Sequence, residues 1–346
     1  MAVTDYALLI LPSTNRVYAE ASVRLTMSEL MVFNRQALDG RIGDIATETI
    51  GGVPYVTFRA HRLDERDVAL LANLSARYAL YAREGELLRP LTVRPLDRFD
   101  SDLLTIQKYV GKTNEQFTKL LLNATVLATD AGPEMTERRL RVLDPMCGRG
   151  TTLNQAMMYG YDAAGLDVDA KDVEAYATFI RTWLKNKRLK HRAELTTVRR
   201  QKSPAARRLH VVVGASKEEY RAGEVIDVSM INADTRRGRE FFKAGSFDAV
   251  VTDAPYGVQH GSRAEQGRLS RTPLGLLAEA IPVWAELVRP GGAVGISWNT
   301  LVGPRAELAA LLTAAGLEVL DGEGYADFAH RVDQAIVRDL IVARRP

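Results

Sequence analysis

Short apolar runs alternate with segments of helical periodicity through the carboxyl-terminal part of the chain. Runs that predict strands lie at 139–143, 162–166, 247–252, 293–298, 318–320 and 335–343. Helical patterns lie between several of them, at 151–159, 274–288 and 305–315. Strands and helices that alternate in this way form mostly parallel sheets covered by helices. We therefore predict an α/β fold with an antiparallel hairpin at its carboxyl end.

The first hundred residues predict a separate and smaller α+β unit. Strand patterns lie at 6–11, 53–60, 78–83 and 87–93, and helical patterns lie at 21–38 and 63–76. Residues 1–100 hold 12 Lys/Arg and 13 Asp/Glu, so strong phosphate binding is not expected there. We predict two domains: a smaller N-terminal domain at 1–100 and a larger domain at 101–346.

Composition narrows the class of protein. The chain has 346 residues, 46% of them hydrophobic, which is enough for a sizeable core. No apolar run approaches membrane-spanning length, and residues 1–5 lack the positive region of a signal peptide. A single cysteine excludes an internal disulfide, and no Cys/His group has metal-ligand spacing. We expect a cytoplasmic protein with no membrane contact and no metal.

A glycine-bearing loop follows the first strand of the larger domain. Gly148 and Gly150 permit a tight turn before the helical pattern at 151–159. Asp167 ends the next strand, roughly 20 residues later, where an acid is placed to bind ribose hydroxyls. Asp144 at the front of the loop disfavours a phosphate and favours a ligand with a positive amino group. S-adenosyl-L-methionine (SAM) is such a ligand, and Asp234 is either its adenine acceptor or a helix cap.

The strand pattern at 247–252 ends in Asp253, Ala254, Pro255 and Tyr256. An exocyclic amine on a nucleobase is a poor nucleophile, because its lone pair is delocalised into the ring. The Asp253 carboxylate and the Ala254 carbonyl provide two acceptors that hold such an amine by its hydrogens. Pro255 stiffens the turn, and Tyr256 is placed to lie against the base. The alternative is an ordinary turn after a strand.

In this order, these motifs resemble those of class I SAM-dependent amino-methyltransferases. Over roughly residues 105–345 the chain is most similar to the tRNA guanine N2-methyltransferases of archaea and eukaryotes, with Ala254 in place of their first proline. The resemblance implies a Rossmann-like, mostly parallel seven-stranded sheet and a segment at 108–113 that closes over the cofactor. It also implies that the N-terminal domain positions the substrate. The implied cofactor-binding residues are Thr113, Asp144, Met146, Cys147, Gly148, Gly150, Thr151, Asp167, Val168 and Asp234.

Positive charge is concentrated between the second and third predicted strands. Residues 185–208 hold ten Lys/Arg and one acid, Glu194. Such a run is either a solvated, flexible face or an arm that follows nucleic-acid phosphates. His260 is either a surface residue or part of the site. The predicted substrate contacts are Lys185, Lys187, Arg188, Arg199, Arg200, His260 and Arg263.

Our leading hypothesis is a SAM-dependent enzyme that methylates an exocyclic base amine in RNA, with guanine N2 of tRNA as the expected target. The alternatives are a DNA adenine or cytosine methyltransferase, a methyltransferase of a small-molecule or peptide amine, and a SAM- or RNA-binding module without transfer activity. Carbon methylation is disfavoured, because Tyr256 lies where carbon methyltransferases place a cysteine. Cys147 is expected to be a small packing residue.

Overall fold

The computed structural model of the chain describes residues 3–13, 16–200, 203–255 and 273–346. Its first part is an antiparallel sheet with two helices, and the sheet has the order β2-β3-β1-β4-β5. The elements are β1 (Val3–Ile10), α1 (Arg16–Ala37), β2 (Ile42–Ile50), β3 (Val53–His61), α2 (Glu65–Leu71), β4 (Arg77–Glu84) and β5 (Leu87–Pro90). The α+β prediction for this region agrees with the structure, except that β2 was not predicted.

The second part is built on a larger sheet. Before it come α3 (Asp102–Thr105), α4 (Glu115–Leu127) and a 3-10 turn (Gly132–Glu134). The elements that follow are β6 (Arg141–Asp144), α5 (Thr151–Met158), β7 (Asp162–Asp167), α6 (Ala170–Asn186), β8 (His191–Arg200), β9 (Ser203–Val213), α7 (Lys217–Ala222), β10 (Ile226–Asn232), a 3-10 turn (Thr235–Arg237), α8 (Gly238–Phe241), β11 (Phe247–Asp253), α9 (Pro273–Leu287), β12 (Val288–Asn299), α10 (Arg305–Ala314), β13 (Glu318–Val319), β14 (His330–Arg331) and β15 (Val337–Arg344).

The strand order of the large sheet creates a topological switch point. The order is β13-β15-β12-β11-β6-β7-β10-β9-β8, with β14 paired to β15. Strands β10, β7, β6, β11 and β12 are parallel, and β15 is antiparallel to β12. From β6 the chain proceeds outward through β7 and β10, and then it returns to β11 on the other side of β6. Open α/β sheets bind ligands at the carboxyl ends of the strands at such a point.

The sheet is larger than the expected seven strands, because most of the basic segment is folded into it. Strands β8 and β9 form an antiparallel hairpin, and β9 pairs with β10. Leu209, Val211 and Val213 alternate along β9 and are buried. This two-residue apolar period is the sequence signal for a strand. Residues 191–200 and 203–213 are therefore ordered strands rather than a flexible face.

The two parts of the chain share one core. A single apolar cluster contains Leu25 of α1, Leu70 of α2 and Leu121 of α4. A buried polar network crosses the same boundary. Glu29 of α1 accepts hydrogen bonds from the backbone and hydroxyl of Ser75 and from Asn123 of α4. The N-terminal sheet is thus packed directly on the helix that precedes the large sheet, while a domain boundary near residue 100 stays a prediction.

Candidate functional site

The loop between β6 and α5 has the conformation that its glycines permit. Gly148 and Gly150 have φ angles of +50° and +80°, in the left-handed region. A Cβ atom at Gly150 would lie 2.5 Å from the ring of Tyr176, whereas one at Gly148 would meet nothing within 4 Å. Both glycines allow the turn, but only Gly150 is required by packing as well as by backbone conformation.

Asp144 lies at the carboxyl end of β6, beneath this loop. Its Oδ1 accepts from the Thr252 hydroxyl at 2.9 Å and from the Met146 backbone N–H at 3.1 Å. Burial is the main cause that raises the pKa of Asp144, to about 7, although its hydrogen bonds act in the opposite direction. An acid with this pKa gains a full negative charge when a cationic group is placed beside it. Asp144 can thus hold the ammonium of SAM.

Asp167 ends β7 and is tied to the same loop. Its two oxygens accept from the backbone N–H groups of Gly148, at 2.7 Å, and Asp169, at 2.8 Å. Burial raises the pKa of Asp167 despite these bonds. The next residue, Val168, is a large apolar side chain that is 75% exposed. A carboxylate followed by an exposed apolar side chain suits a ribose followed by the face of an adenine.

Asp234 begins the 3-10 turn after β10 and acts as its cap. It accepts from the backbone N–H of Arg236 and from the Arg236 guanidinium. This hydrogen bond to Arg236 is the main cause that lowers the pKa of Asp234. The geometry matches the helix-cap interpretation of Asp234, and an adenine contact stays a prediction.

Asp253 lies at the carboxyl end of β11, across the switch point from Asp144. Its Oδ2 accepts from the Thr113 hydroxyl at 2.5 Å, and its Oδ1 accepts from the Ser297 hydroxyl at 2.7 Å. The backbone N–H of Ala254 donates to the Ser297 carbonyl at 2.8 Å, which fixes the turn that follows. Pro255 is exposed at the mouth of the site.

Two residues have roles that the sequence did not indicate. Thr113 was expected at the cofactor, but its hydroxyl binds Asp253. Ser297 was not predicted at all, although it is the register partner of Asp253 on β12. A hydroxyl residue at the carboxyl end of a neighbouring parallel strand is the signal that would have found it.

The remaining loop residues pack around the cofactor-binding edge. Thr151 shares a hydrogen bond of 3.0 Å with the hydroxyl of Tyr109, which belongs to the segment at 108–113 that was expected to close over the cofactor. Cys147 is buried, and its backbone N–H donates to the Leu166 carbonyl. Burial raises the pKa of the Cys147 thiol well above its usual value, so the thiol is a packing group rather than a nucleophile.

The predicted substrate residues are divided between the two edges of the large sheet. β8 runs parallel to β10, so its start lies at the amino edge and its end lies at the carboxyl edge. Lys185, Lys187 and Arg188 precede β8 and therefore lie at the edge opposite Asp253. Lys187 is also paired there with Asp100 and Asp102, each at 2.7 Å. Arg199 and Arg200 are at the other end of the hairpin.

Three predicted residues, Tyr256, His260 and Arg263, lie outside the described residues. Within the part of the chain that the structure describes, no group of three or more His, Cys, Asp or Glu side chains is arranged to hold a metal ion. A search of the helices in that same part found none long and apolar enough to cross a membrane.

The strand order, the glycine loop and the family comparison define a class I SAM-dependent methyltransferase domain, with SAM as its cofactor. Residues 124–286, slightly less than half of the chain, match the family described as RMKL-like methyltransferase domain (UPF0020). No curated protein shows significant sequence similarity to the chain.

Several solved structures resemble the chain at low sequence identity. A TehB-like SAM-dependent methyltransferase from Corynebacterium glutamicum is 14% identical, with a TM-score of 0.35 over 62% of this chain and 84% of its own. A SAM-dependent methyltransferase from Methanosarcina mazei is 15% identical, with a TM-score of 0.34 over 60% and 93%. A candidate rRNA methylase from Clostridium thermocellum is 13% identical, with a TM-score of 0.36 over 60% and 89%.

Proposed function

We propose that the protein transfers a methyl group from SAM to the exocyclic amine of a nucleobase in RNA, with guanine N2 of tRNA as the preferred target. The observation that carries this proposal is the position of Asp253. Its carboxylate is held by two hydroxyls at the carboxyl end of β11, at the switch point of the sheet and one residue before an Ala-Pro turn.

The residues of the chain supply orientation and charge. Bound SAM supplies the methyl group. Asp253 and the Ala254 carbonyl accept the two amine hydrogens, so that the nitrogen pyramidalises and its lone pair faces the methyl carbon. Asp253 or solvent would take the proton that the amine loses once it carries the methyl group that SAM supplies. Asp144 and Asp167 hold the ammonium and ribose of the cofactor.

A nucleic-acid substrate is favoured by the position of the hairpin end. Of the β9 residues that pair with β10, Arg208 is the first in the chain, and it lies opposite Ile231 near the carboxyl end of β10. Residues 203–207 of β9 and 197–200 of β8 therefore extend about 15 Å past this point, at the edge that carries Asp167 and Asp253. Arg199 is exposed there, and no Asp or Glu occurs between Glu194 and Glu218. This end of the hairpin, residues 197–200 and 203–207, is called the hairpin tip below.

The direct test of the proposed function is an acceptor screen. Purified protein is incubated with labelled SAM and with separate pools of unmodified tRNA, rRNA and DNA, and the methylated nucleoside is identified after digestion. Label in N2-methylguanosine from tRNA supports the full proposal. Label in N6-methyladenine or N4-methylcytosine from DNA, or transfer to small amines but to no nucleic acid, contradicts it.

Charge removal at the two ends of the basic run should have different effects. Replacing Arg199 and Arg200 by Gln should weaken RNA binding and reduce the slope of log K against log salt by about 1.4 to 1.8, because two phosphate contacts are lost. The matched control replaces Lys185 and Lys190 by Gln, which removes the same charge from the opposite edge and should leave the slope unchanged. Filter binding at several salt concentrations measures both. Equal salt slopes for the two variants would show that the hairpin tip does not contact RNA.

Asp144 should make SAM binding depend on pH. Its folded pKa of about 7 lies above the ordinary value, so the carboxyl is largely protonated at pH 6 in the free protein. Binding a cation favours the ionised form, and below pH 7 this ionisation costs free energy. SAM affinity should therefore rise several-fold between pH 6 and pH 7.5, in proportion to the ionised fraction of Asp144 in the free protein. Calorimetry on the wild type and Asp144→Asn checks this, because the variant should bind more weakly and with a flat profile.

A further inference from the structure

A buried arginine from the last strand lies beside the proposed catalytic carboxylate. The side chain of Arg338, on β15, is only 6% exposed, and its Nη2 lies 3.8 Å from Oδ2 of Asp253. Its guanidinium carbon lies 4.4 Å from the ring centroid of Phe117, in the first turn of α4. Three elements that are far apart in sequence thus bring a positive charge to the residue that is proposed to hold the amine.

We infer that Arg338 is a positioning residue: its buried positive charge fixes the orientation of the Asp253 carboxylate for the incoming amine. The inference rests on the role proposed above for Asp253. The different distances of the three partners of Asp253 support it. Thr113 and Ser297 donate the short hydrogen bonds to the carboxylate, whereas Arg338 lies at a distance where charge attraction dominates. Such an attraction is stronger in a site shielded from water than at the surface.

The histidine that neighbours Arg338 does not supply this charge. His330 is the register partner of Arg338 on β14, and it is buried. Burial is the main cause that lowers the pKa of His330 to about 4, and the charge of Arg338 adds to the effect. His330 is therefore neutral near pH 7. The position over the Phe117 ring also suits a guanidinium, which keeps its charge when buried more readily than an ammonium does.

The test separates charge from packing. Arg338→Met keeps the length of the side chain but removes its charge, and Arg338→Lys keeps the charge. The matched control is Arg331→Met, on the strand paired with β15, where the exposed Arg331 donates to the Asp333 carbonyl. Turnover is measured with the acceptor that the wild-type enzyme methylates, and SAM affinity and melting temperature are measured on the same preparations.

Arg338→Met should lose about 100-fold in kcat, with SAM affinity and the KM of the acceptor within about threefold of wild type. The kcat of Arg338→Lys should be at least about tenfold higher than that of Arg338→Met, and the kcat of Arg331→Met should match that of the wild type. Guanidinium added at millimolar concentration should restore part of the activity of Arg338→Ala, as an ion that occupies the vacated space.

Two outcomes would overturn the inference: turnover of folded Arg338→Met within about threefold of wild type, or an equal loss in Arg338→Met and Arg338→Lys. If Arg338→Met does not fold, Arg338→Lys decides, because a loss above about 100-fold in that charged variant contradicts the inference. Asp253→Ala separates the two proposals. Full turnover by Asp253→Ala would reject the proposed function, whereas its loss beside normal turnover by Arg338→Met would reject only the role of Arg338.

Discussion

Asp253→Ala should abolish methyl transfer while SAM binding remains close to that of the wild type. The carboxylate faces the switch point and is held by Thr113 and Ser297, but it makes no contact with the loop between β6 and α5 among the hydrogen bonds of the described residues. Its removal takes away an acceptor for the amine and for the proton, so kcat should fall on the order of 10³-fold. Single-turnover kinetics and calorimetry with SAM measure the two quantities.

The control for this variant is Asp130→Ala, which removes an exposed carboxylate paired with Arg344. Surface ion pairs contribute little to stability, so this variant should fold and turn over normally. Transfer by Asp253→Ala at more than a tenth of the wild-type rate would exclude Asp253 as the group that holds the amine. An equal loss of SAM binding would instead show that Asp253 is a cofactor-binding residue.

Gly150→Ala should disrupt the cofactor loop. The new Cβ would lie 2.5 Å from the Tyr176 ring, which is buried and whose hydroxyl donates to Asn154 at 3.1 Å. The left-handed backbone adds a strain of about 1 to 2 kcal/mol, and overpacking adds about 1 to 3 kcal/mol. We therefore expect a drop in the free energy of unfolding of about 2 to 5 kcal/mol, together with a large loss of SAM affinity. Urea unfolding and calorimetry check both.

Gly148→Ala is the matched control, since it has the same left-handed backbone but open space around the Cβ. It should cost only the strain, about 1 to 2 kcal/mol. Tyr176→Leu should restore part of the stability of Gly150→Ala, because the two residues collide directly. Equal losses in Gly148→Ala and Gly150→Ala, or strictly additive losses in the double variant, would show that the Tyr176 ring does not define this position.

The sheet was predictable where its strands carry continuous apolar runs. Strands β6, β7 and β11 begin or end within a few residues of the predicted limits, because both faces of these central strands are buried and their sequences show it. β2 was missed because it is an edge strand with many polar and exposed positions, including Asp44, Thr47 and Thr49. The basic hairpin was missed because the buried apolar residues that alternate along β9 lie only at its end, after a run of 24 residues that holds ten Lys/Arg.

The candidate site was predictable only in part. Asp144, Asp167 and Asp253 each follow a strand, and strand ends are where parallel sheets bind ligands. The partners of Asp253 come instead from three separate places: Thr113 before α4, Ser297 on β12 and Arg338 on β15. A local pattern can mark a position such as Ser297, at the end of a strand, but not its contact with Asp253, because that contact depends on which strands become neighbours. The division of the basic run between opposite edges likewise depends on strand direction.

By itself, the sequence determined the α/β class, the glycine loop after β6 and the acids at the strand ends, because these depend on local periodicity and on residue types that one turn requires. The order of the strands, by contrast, was decided by the tertiary structure. That order places Asp253 against Thr113, Ser297 and Arg338, and directs the hairpin tip to the same edge. Such contacts arise from the pairing of segments distant along the chain, which a one-dimensional pattern does not specify.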